Sequence, residues 1–147
     1  MKKINTVLLI DDDKAINFIT KMLIKKASIT NHIETVMNGQ EALDYLTNSG
    51  KYEKDDLNYP QPMLIFLDIN MPVMDGWEFA EAFSKLEPSQ KGDAKIIMLT
   101  SSINPDDKER ALKLSAISGF QSKILTMDGL TEIMNEYFTD YLDETVN

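Results

Sequence analysis

Residues 63–72 read MLIFLDINMP and place five apolar residues directly before Asp68. A short apolar run without alternating polar positions is typical of a strand that is buried on both faces of a parallel sheet. The same pattern occurs at Val7–Ile10 and Ile96–Leu99, and weaker strand patterns lie at Ile33–Met37 and Ser118–Lys123. The sequence therefore predicts five strands, and three of them are expected to be buried on both faces.

Amphipathic segments lie between the predicted strands. In the first, apolar residues recur mostly at the i, i+3, i+4 and i+7 spacing of one helix face: Ala15, Ile16, Ile19, Met22, Leu23 and Ile24. Further segments lie near Gly39, Trp77 and Leu130, and Asn104-Pro105 is a helix start because Asn can cap and Pro suits the first helical position. Strand and helix thus alternate five times. This predicts an α/β fold with right-handed βαβ units, a doubly wound parallel sheet and helices on both faces.

The length of the chain favours one domain. Its 147 residues match the usual size of a single domain. We therefore expect one domain over residues 1–147, with a core at about 4–143 and no output domain. The irregular segment Ser49–Pro62 is expected to form a long loop before the third strand.

Composition excludes several classes of function. A net charge of −9 argues against direct binding to nucleic acid or to anionic membranes, both of which need a basic surface. No apolar run approaches the roughly 20 residues that a membrane span requires. The chain has no cysteine, which excludes disulfides, zinc–thiolate sites and cysteine nucleophiles, and which agrees with a cytoplasmic protein.

Reactive side chains follow four of the predicted strands. They are Asp11, Asp12 and Asp13 after the first, Asp68 after the third, Thr100, Ser101 and Ser102 after the fourth, and Lys123 at the end of the fifth. In doubly wound sheets, sites form outside the carboxyl ends of the strands, so these groups are expected at one edge. Asp13 is the best candidate for a simple cap of the first helix.

This set of groups suits phosphoryl chemistry. Crowded carboxylates repel each other, and a hard cation such as Mg²⁺ relieves that repulsion while it also binds phosphate oxygens. An aspartate beside such an ion can attack phosphorus and form an aspartyl phosphate. A hydroxyl and a lysine then offset the charge of the transferred group. The residues themselves therefore predict Mg²⁺-assisted acceptance of a phosphoryl group on an aspartate.

Four segments resemble the signatures of bacterial two-component response-regulator receivers. They read VLLIDDD at 7–13, FLDINMPVMDG at 66–76, MLTSS at 98–102 and GFQSK at 119–123. The resemblance covers almost the whole chain and implies a flavodoxin-like sheet of strand order 2-1-3-4-5 with five helices. It is closest to chemotaxis-type stand-alone receivers, and the long loop gives a weaker similarity to single-domain receivers that accompany phytochrome-type kinases.

The resemblance also implies roles for individual residues. Asp68 would be the phosphoacceptor. Mg²⁺, or Mn²⁺, would be held by Asp11, Asp12, Asp68 and the backbone carbonyl of Asn70. The phosphoryl group would be bound by Thr100 and Lys123, with Ser101 as the small residue that leaves the donor access. Phe120 would be the switch aromatic that turns inward when Thr100 moves.

The chain departs from the family pattern after Lys123. The family usually has a proline there, in a cis peptide, whereas this chain has Ile124. Because a cis bond before a non-proline residue costs about 3 kcal/mol, we expect this peptide to be trans or the loop to be reshaped.

The function that the resemblance implies is signalling and not catalytic turnover. The phosphodonor would be a sensor histidine kinase or a histidine phosphotransfer protein, and the output a downstream protein partner, onward phosphotransfer or a second copy of the chain. One alternative is a haloacid-dehalogenase-like phosphatase, which needs a second acid two residues after its nucleophile. That position is Asn70, so the proton shuttle would be missing. The other alternative is a degenerate receiver that binds partners without phosphate, for which Ile124 is the only support.

Overall fold

A single parallel sheet forms the centre of the molecule. The computed structural model describes residues 3–52, 60–101 and 104–141. Within them, five strands pair in the order β2-β1-β3-β4-β5, every pair parallel. Their bounds are β1 Val7–Ile10, β2 Ile33–Val36, β3 Leu64–Asp68, β4 Lys95–Thr100 and β5 Ile117–Ser122. The predicted fold class and strand order are confirmed, and each predicted strand is present with its ends moved by a residue or so.

The described residues form six α-helices, and the expected number of five is corrected. They are α1 Lys14–Ala27, α2 Gly39–Leu46, α3 Gly76–Ser84, α4 Pro88–Lys91, α5 Pro105–Leu112 and α6 Met127–Tyr137. The extra helix, α4, is a single turn in which the Glu87 N–H donates to Gln90 Oε1 at 3.0 Å and the Gln90 N–H donates to the Glu87 carbonyl at 2.8 Å. A helix of four residues is too short to show an apolar period, so sequence periodicity did not reveal it.

The core lies on both faces of the sheet, because successive side chains of a strand point to opposite faces. On β1, Leu8 and Ile10 join a cluster with α2, α3 and α5, while Val7 and Leu9 join a second cluster with α1 and α6. β3 and β4 alternate in the same way. The uninterrupted apolar runs of the sequence are therefore explained by burial on both faces.

The buried face of α1 overlaps the predicted one only in part. Of the predicted residues, Ile24 is buried and Leu23 packs against the core, whereas Ile19 and Met22 are exposed. The other fully buried residues of the helix are polar, Asn17 and Thr20. Apolar spacing alone therefore predicted a face rotated from the real one, because two polar side chains occupy positions in contact with the core.

Two predicted segments extend beyond the described residues. The loop at 49–62 begins with a 3-10 turn, Gly50–Tyr52, and its residues 53–59 lie outside the described part, as do Ser102 and the last residues of the expected core, 142–143. The last helix ends at Tyr137 and is followed by a 3-10 turn at Thr139–Tyr141. Among the described residues, no helix has the length and apolarity needed to cross a membrane.

Candidate functional site

The sheet topology brings the predicted groups to one edge. Asp68 and Thr100 are the last residues of β3 and β4, and Asp11 and Lys123 directly follow β1 and β5. All these strands run in the same direction, so their carboxyl ends lie side by side.

Asp11 is held firmly at the end of β1. The residue is 4% exposed, its backbone N–H donates to the carbonyl of Val36 at 3.1 Å, and its Oδ1 accepts from the N–H of Asp13 at 2.9 Å. Asp12 is exposed beside it. Asp13 accepts hydrogen bonds from the N–H groups of Ala15 and Ile16, which confirms that it caps α1.

Asp68 lies in the centre of the site. It is 5% exposed, and its Oδ1 accepts from the N–H of Ile69 and from Lys123 Nζ, each at 2.9 Å. The chain then turns so that the N–H of Gly76 donates to the Ile69 carbonyl at 2.7 Å. A Cβ atom at position 76 would overlap the backbone carbonyl of Asp68, so glycine permits this close approach.

Lys123 joins the two buried carboxylates. Its Nζ lies 2.9 Å from Asp68 Oδ1 and 3.4 Å from Asp11 Oδ2. The Lys123–Ile124 peptide is cis, so of the two expected alternatives, a trans peptide or a reshaped loop, the trans peptide was wrong. That expectation used only the local preference of a free chain, whereas this loop is fixed on both sides. The N–H of Lys123 donates to the Thr100 carbonyl at 2.9 Å, and the side chain of Leu125 is buried.

The electrostatics of the site follow from burial. Burial raises the pKa of Asp11 from 3.8 to about 6, the charge of Asp68 adds to the rise, and the Asp13 N–H and Lys123 oppose it. For Lys123, burial acts to lower the pKa, but the hydrogen bond to Asp68 and the attraction of both carboxylates outweigh it and raise the pKa. The site therefore holds one charged ammonium, Lys123, beside two buried carboxylates, so its positive charge does not balance the negative charge of both.

The acidic groups fit a divalent cation. Asp11, Asp12 and Asp68 each offer a carboxylate oxygen, and these oxygens lie within 4.8 Å of one another. Asp11 Oδ2 is buried, and among the described residues its compensation is the Lys123 ammonium at 3.4 Å, without a well-formed hydrogen bond. An oxygen in that condition, beside two further carboxylates, suits a hard cation such as Mg²⁺ or Mn²⁺. The contribution of the Asn70 carbonyl stays a prediction.

The predicted phosphoryl-binding and switch residues lie at the same edge or near it. Thr100 is 8% exposed, and Ser101 follows it as an exposed residue. Phe120 is half-buried on β5 and pairs with Met98 of β4. It packs against the core cluster that the sheet forms with α2, α3 and α5. Thr100 pairs with Ser122 in the β-ladder, so Phe120 lies two residues away along β5. Their coupling stays a prediction.

Sequence reasoning missed one residue that contacts the site. Asn17 is buried on α1, and its Nδ2 donates to the backbone carbonyl of Asp11 at 2.9 Å. One signal was available in the sequence. Asn17 lies one helical turn after the three consecutive aspartates that end at Asp13, and it does not belong to the apolar pattern of the helix.

Removing the charge of Asp11 should stabilise the metal-free protein. The pKa of Asp11 is higher in the folded chain, so the folded chain binds this proton more tightly than the unfolded chain does. The free energy of unfolding therefore falls as the pH rises from about 4 to about 6 and Asp11 ionises. In EDTA at about pH 7, Asp11→Asn should gain up to roughly 3 kcal/mol in unfolding free energy. Urea denaturation across this range measures it. The gain should vanish near pH 4, and a variant that is less stable than the unmodified protein at every pH would contradict the expectation.

Comparison with known proteins identifies the family. The model of the response regulator receiver domain matches residues 7–135. Rcp1, a response regulator of Synechocystis sp., is 34% identical over 104 residues, which cover 69% of this chain and 65% of Rcp1. Hybrid signal transduction histidine kinase D of Dictyostelium discoideum is 29% identical over 96% of this chain, which spans only 8% of that kinase.

Solved structures agree. A two-component response regulator from Cytophaga hutchinsonii superposes with a TM-score of 0.79 at 30% identity, covering 94% of this chain and 99% of that one. The Mn²⁺-bound form of Rcp1 superposes with a TM-score of 0.71 at 26% identity, covering 95% and 96% of the two chains. The chain belongs to the response regulator receiver family.

Proposed function

We propose that this chain accepts a phosphoryl group on Asp68 from a phosphohistidine of a sensor kinase or phosphotransfer protein. The observation that carries the proposal is the pairing of buried Asp68 with Lys123 at 2.9 Å, beside the carboxylates of Asp11 and Asp12. A receiver domain is a signalling domain, and here Asn70 stands where a phosphatase of the dehalogenase type would need its second acid.

The transfer is a single displacement at phosphorus. Both hydrogen bonds from described residues to the Asp68 carboxylate end on Oδ1, so we assign Oδ2 as the nucleophile. Its electron pair forms the new O–P bond, the P–N bond to the donor imidazole breaks, and the imidazole leaves with that pair. Lys123 then pairs with the phosphoryl oxygens, and the Thr100 hydroxyl donates to one of them. Asp11, Asp12 and Asp68 would hold a Mg²⁺ or Mn²⁺ ion, which would supply positive charge against the phosphoryl oxygens. The Mn²⁺-bound form of the similar Rcp1 supports this assignment.

We propose a one-domain organisation that signals through a protein partner or passes the phosphoryl group on. The match to nearly the full length of the Cytophaga chain supports the first part. A histidine-kinase donor implies a cytoplasmic site of action. A second copy of the chain is the alternative partner.

Labelling with acetyl phosphate tests the proposal directly. In Mg²⁺ we expect the intact mass to rise by one phosphoryl group and peptide mapping to place it on Asp68. Chelation with EDTA should prevent labelling, since the crowded carboxylates then repel the donor. Equal labelling in EDTA, or a label on another residue, would show that this site does not carry the function.

Phosphorylation should change the face formed by α5, β5 and α6. Thr100 at the site and Phe120 on β5 support this choice, and Phe120 lines a cavity of about 330 Å³ together with Leu112 and Leu114 of the α5 region. Moving a population from 1:99 to 99:1 takes about 5.5 kcal/mol, more than the roughly 1 kcal/mol of one hydrogen bond. Lys123, the cation and repacking must therefore contribute to the change, or the resting protein already samples the active form.

Beryllofluoride, a phosphoryl mimic, makes this face testable by NMR. With Mg²⁺ and beryllofluoride we expect shift changes through residues 104–125 as well as in the acidic loop, Asp11 to Asp13. Thr100→Ala, which removes the hydroxyl, should keep the changes in the acidic loop and reduce those near Phe120. If, in the protein without substitutions, the beryllofluoride-induced shift changes stay within the acidic loop, another face carries the signal.

A further inference from the structure

The face of α1 that packs on the sheet contains a buried amide. Asn17 is 7% exposed and Thr20, one turn further, is 2% exposed. Burying a polar side chain costs free energy unless its groups are hydrogen-bonded. Asn17 meets this condition through the hydrogen bond from Nδ2 to the Asp11 carbonyl, which is itself buried. The residue is therefore placed for that bond and not for apolar packing.

The carbonyl that Asn17 holds belongs to the peptide between Asp11 and Asp12. Asp11 makes two other hydrogen bonds to described residues, from its N–H to the Val36 carbonyl and from the Asp13 N–H to its Oδ1, and both use backbone groups of the partner residue. Its Oδ2 lies 3.4 Å from Lys123 Nζ, a contact that orients the carboxylate but not the peptide. The bond from Asn17 fixes the plane of the one peptide that joins two of the three clustered carboxylates. A rotation of that peptide would change the separation of the two side chains.

We propose that Asn17 is a positioning residue for the metal site, and that its amide sets the Asp11–Asp12 peptide so that both carboxylates face one divalent cation. The proposal rests on the proposed function. An apolar residue at position 17 would leave the Asp11 carbonyl buried without a donor, and an aspartate would direct an acceptor at an acceptor.

The decisive measurement is Mg²⁺ affinity by NMR titration, because it follows the signals of folded protein only. Partners that orient metal ligands typically contribute 10- to 100-fold in metal affinity. We expect Asn17→Ala to weaken Mg²⁺ binding about tenfold or more. Thr20→Val is the matched control. It changes a buried polar residue on the same helix face whose hydroxyl bonds to no described residue, and it should leave the Kd within about twofold of the unmodified value.

Two further readouts separate positioning from a purely structural role. In the metal-free protein, exchange of the Asp13 amide hydrogen, which is bonded to Asp11 Oδ1, should be faster in Asn17→Ala and unchanged in Thr20→Val. Labelling of Asp68 by acetyl phosphate should be slow in Asn17→Ala at low Mg²⁺ and return to the unmodified rate at saturating Mg²⁺.

The outcomes distinguish this proposal from the proposed function. An unchanged Kd in folded Asn17→Ala, with normal binding by the unmodified protein, overturns the positioning role alone, as does slow labelling that saturating Mg²⁺ fails to restore. A protein that binds no Mg²⁺ before mutation overturns the metal site and this proposal with it. If Asn17→Ala does not fold, Asn17→Ser replaces it. The serine side chain is too short for its hydroxyl to reach the Asp11 carbonyl, so the same loss of Mg²⁺ affinity is expected.

Discussion

Asp68→Asn is expected to abolish phosphorylation by acetyl phosphate in Mg²⁺. Asparagine keeps the size of aspartate and an oxygen that accepts from Lys123 and from the Ile69 N–H, so the fold should be preserved. An amide oxygen is a far weaker nucleophile than a carboxylate, however, and the charge that attracts a cation is lost as well. Intact mass under conditions that fully label the unmodified protein measures the effect, and we expect no detectable label.

Asp13→Asn is the matched control. It makes the same change of charge in the neighbouring acidic loop, at a residue whose side chain caps α1, and asparagine caps helices about as well as aspartate. This variant should label at close to the unmodified rate. Undiminished labelling of Asp68→Asn would place the acceptor elsewhere. Loss of labelling in Asp13→Asn would mean that removing any one acidic charge from the loop is enough to abolish labelling.

Mg²⁺ is expected to stabilise the folded protein strongly. The three clustered carboxylates exist as a site only in the folded chain, so the cation binds the native state in preference to the unfolded one. Mass action then gives about 2.7 kcal/mol at a hundredfold excess over the Kd. Urea denaturation with Mg²⁺ and with EDTA measures the increment. A denaturation midpoint that is indifferent to Mg²⁺ would contradict the site.

Asp12→Asn should remove most of this increment. Asp12 is exposed, so its replacement costs little stability of its own and the loss of the Mg²⁺ effect can be measured cleanly. Asp106, an exposed acid in the first turn of α5, provides the control. Asp106→Asn removes the same charge outside the site and should keep the increment. An equal loss in both variants would indicate a general effect of net charge.

The apolar runs were sufficient to predict the three central strands of the sheet, β1, β3 and β4. Burial on both faces leaves no polar position in a central strand, and this makes runs such as Val7–Ile10 visible in the sequence. The membership of the site followed from the same pattern. Parallel strands end at a common edge, so residues at the carboxyl ends of these strands lie side by side. Asp68 and Thr100 end β3 and β4, and Asp11 and Lys123 directly follow β1 and β5.

Local patterns were insufficient wherever a contact between distant parts of the chain outweighed them. Apolar spacing predicted the face of α1 only in part, because Asn17 is buried where its amide donates to the Asp11 carbonyl that follows β1. The 2.9 Å contact between Lys123 and Asp68 joins residues separated by 55 positions. Periodicity and residue type fix which groups reach the edge of the sheet, whereas their distances and hydrogen bonds depend on packing that arises only when the strands and helices come together.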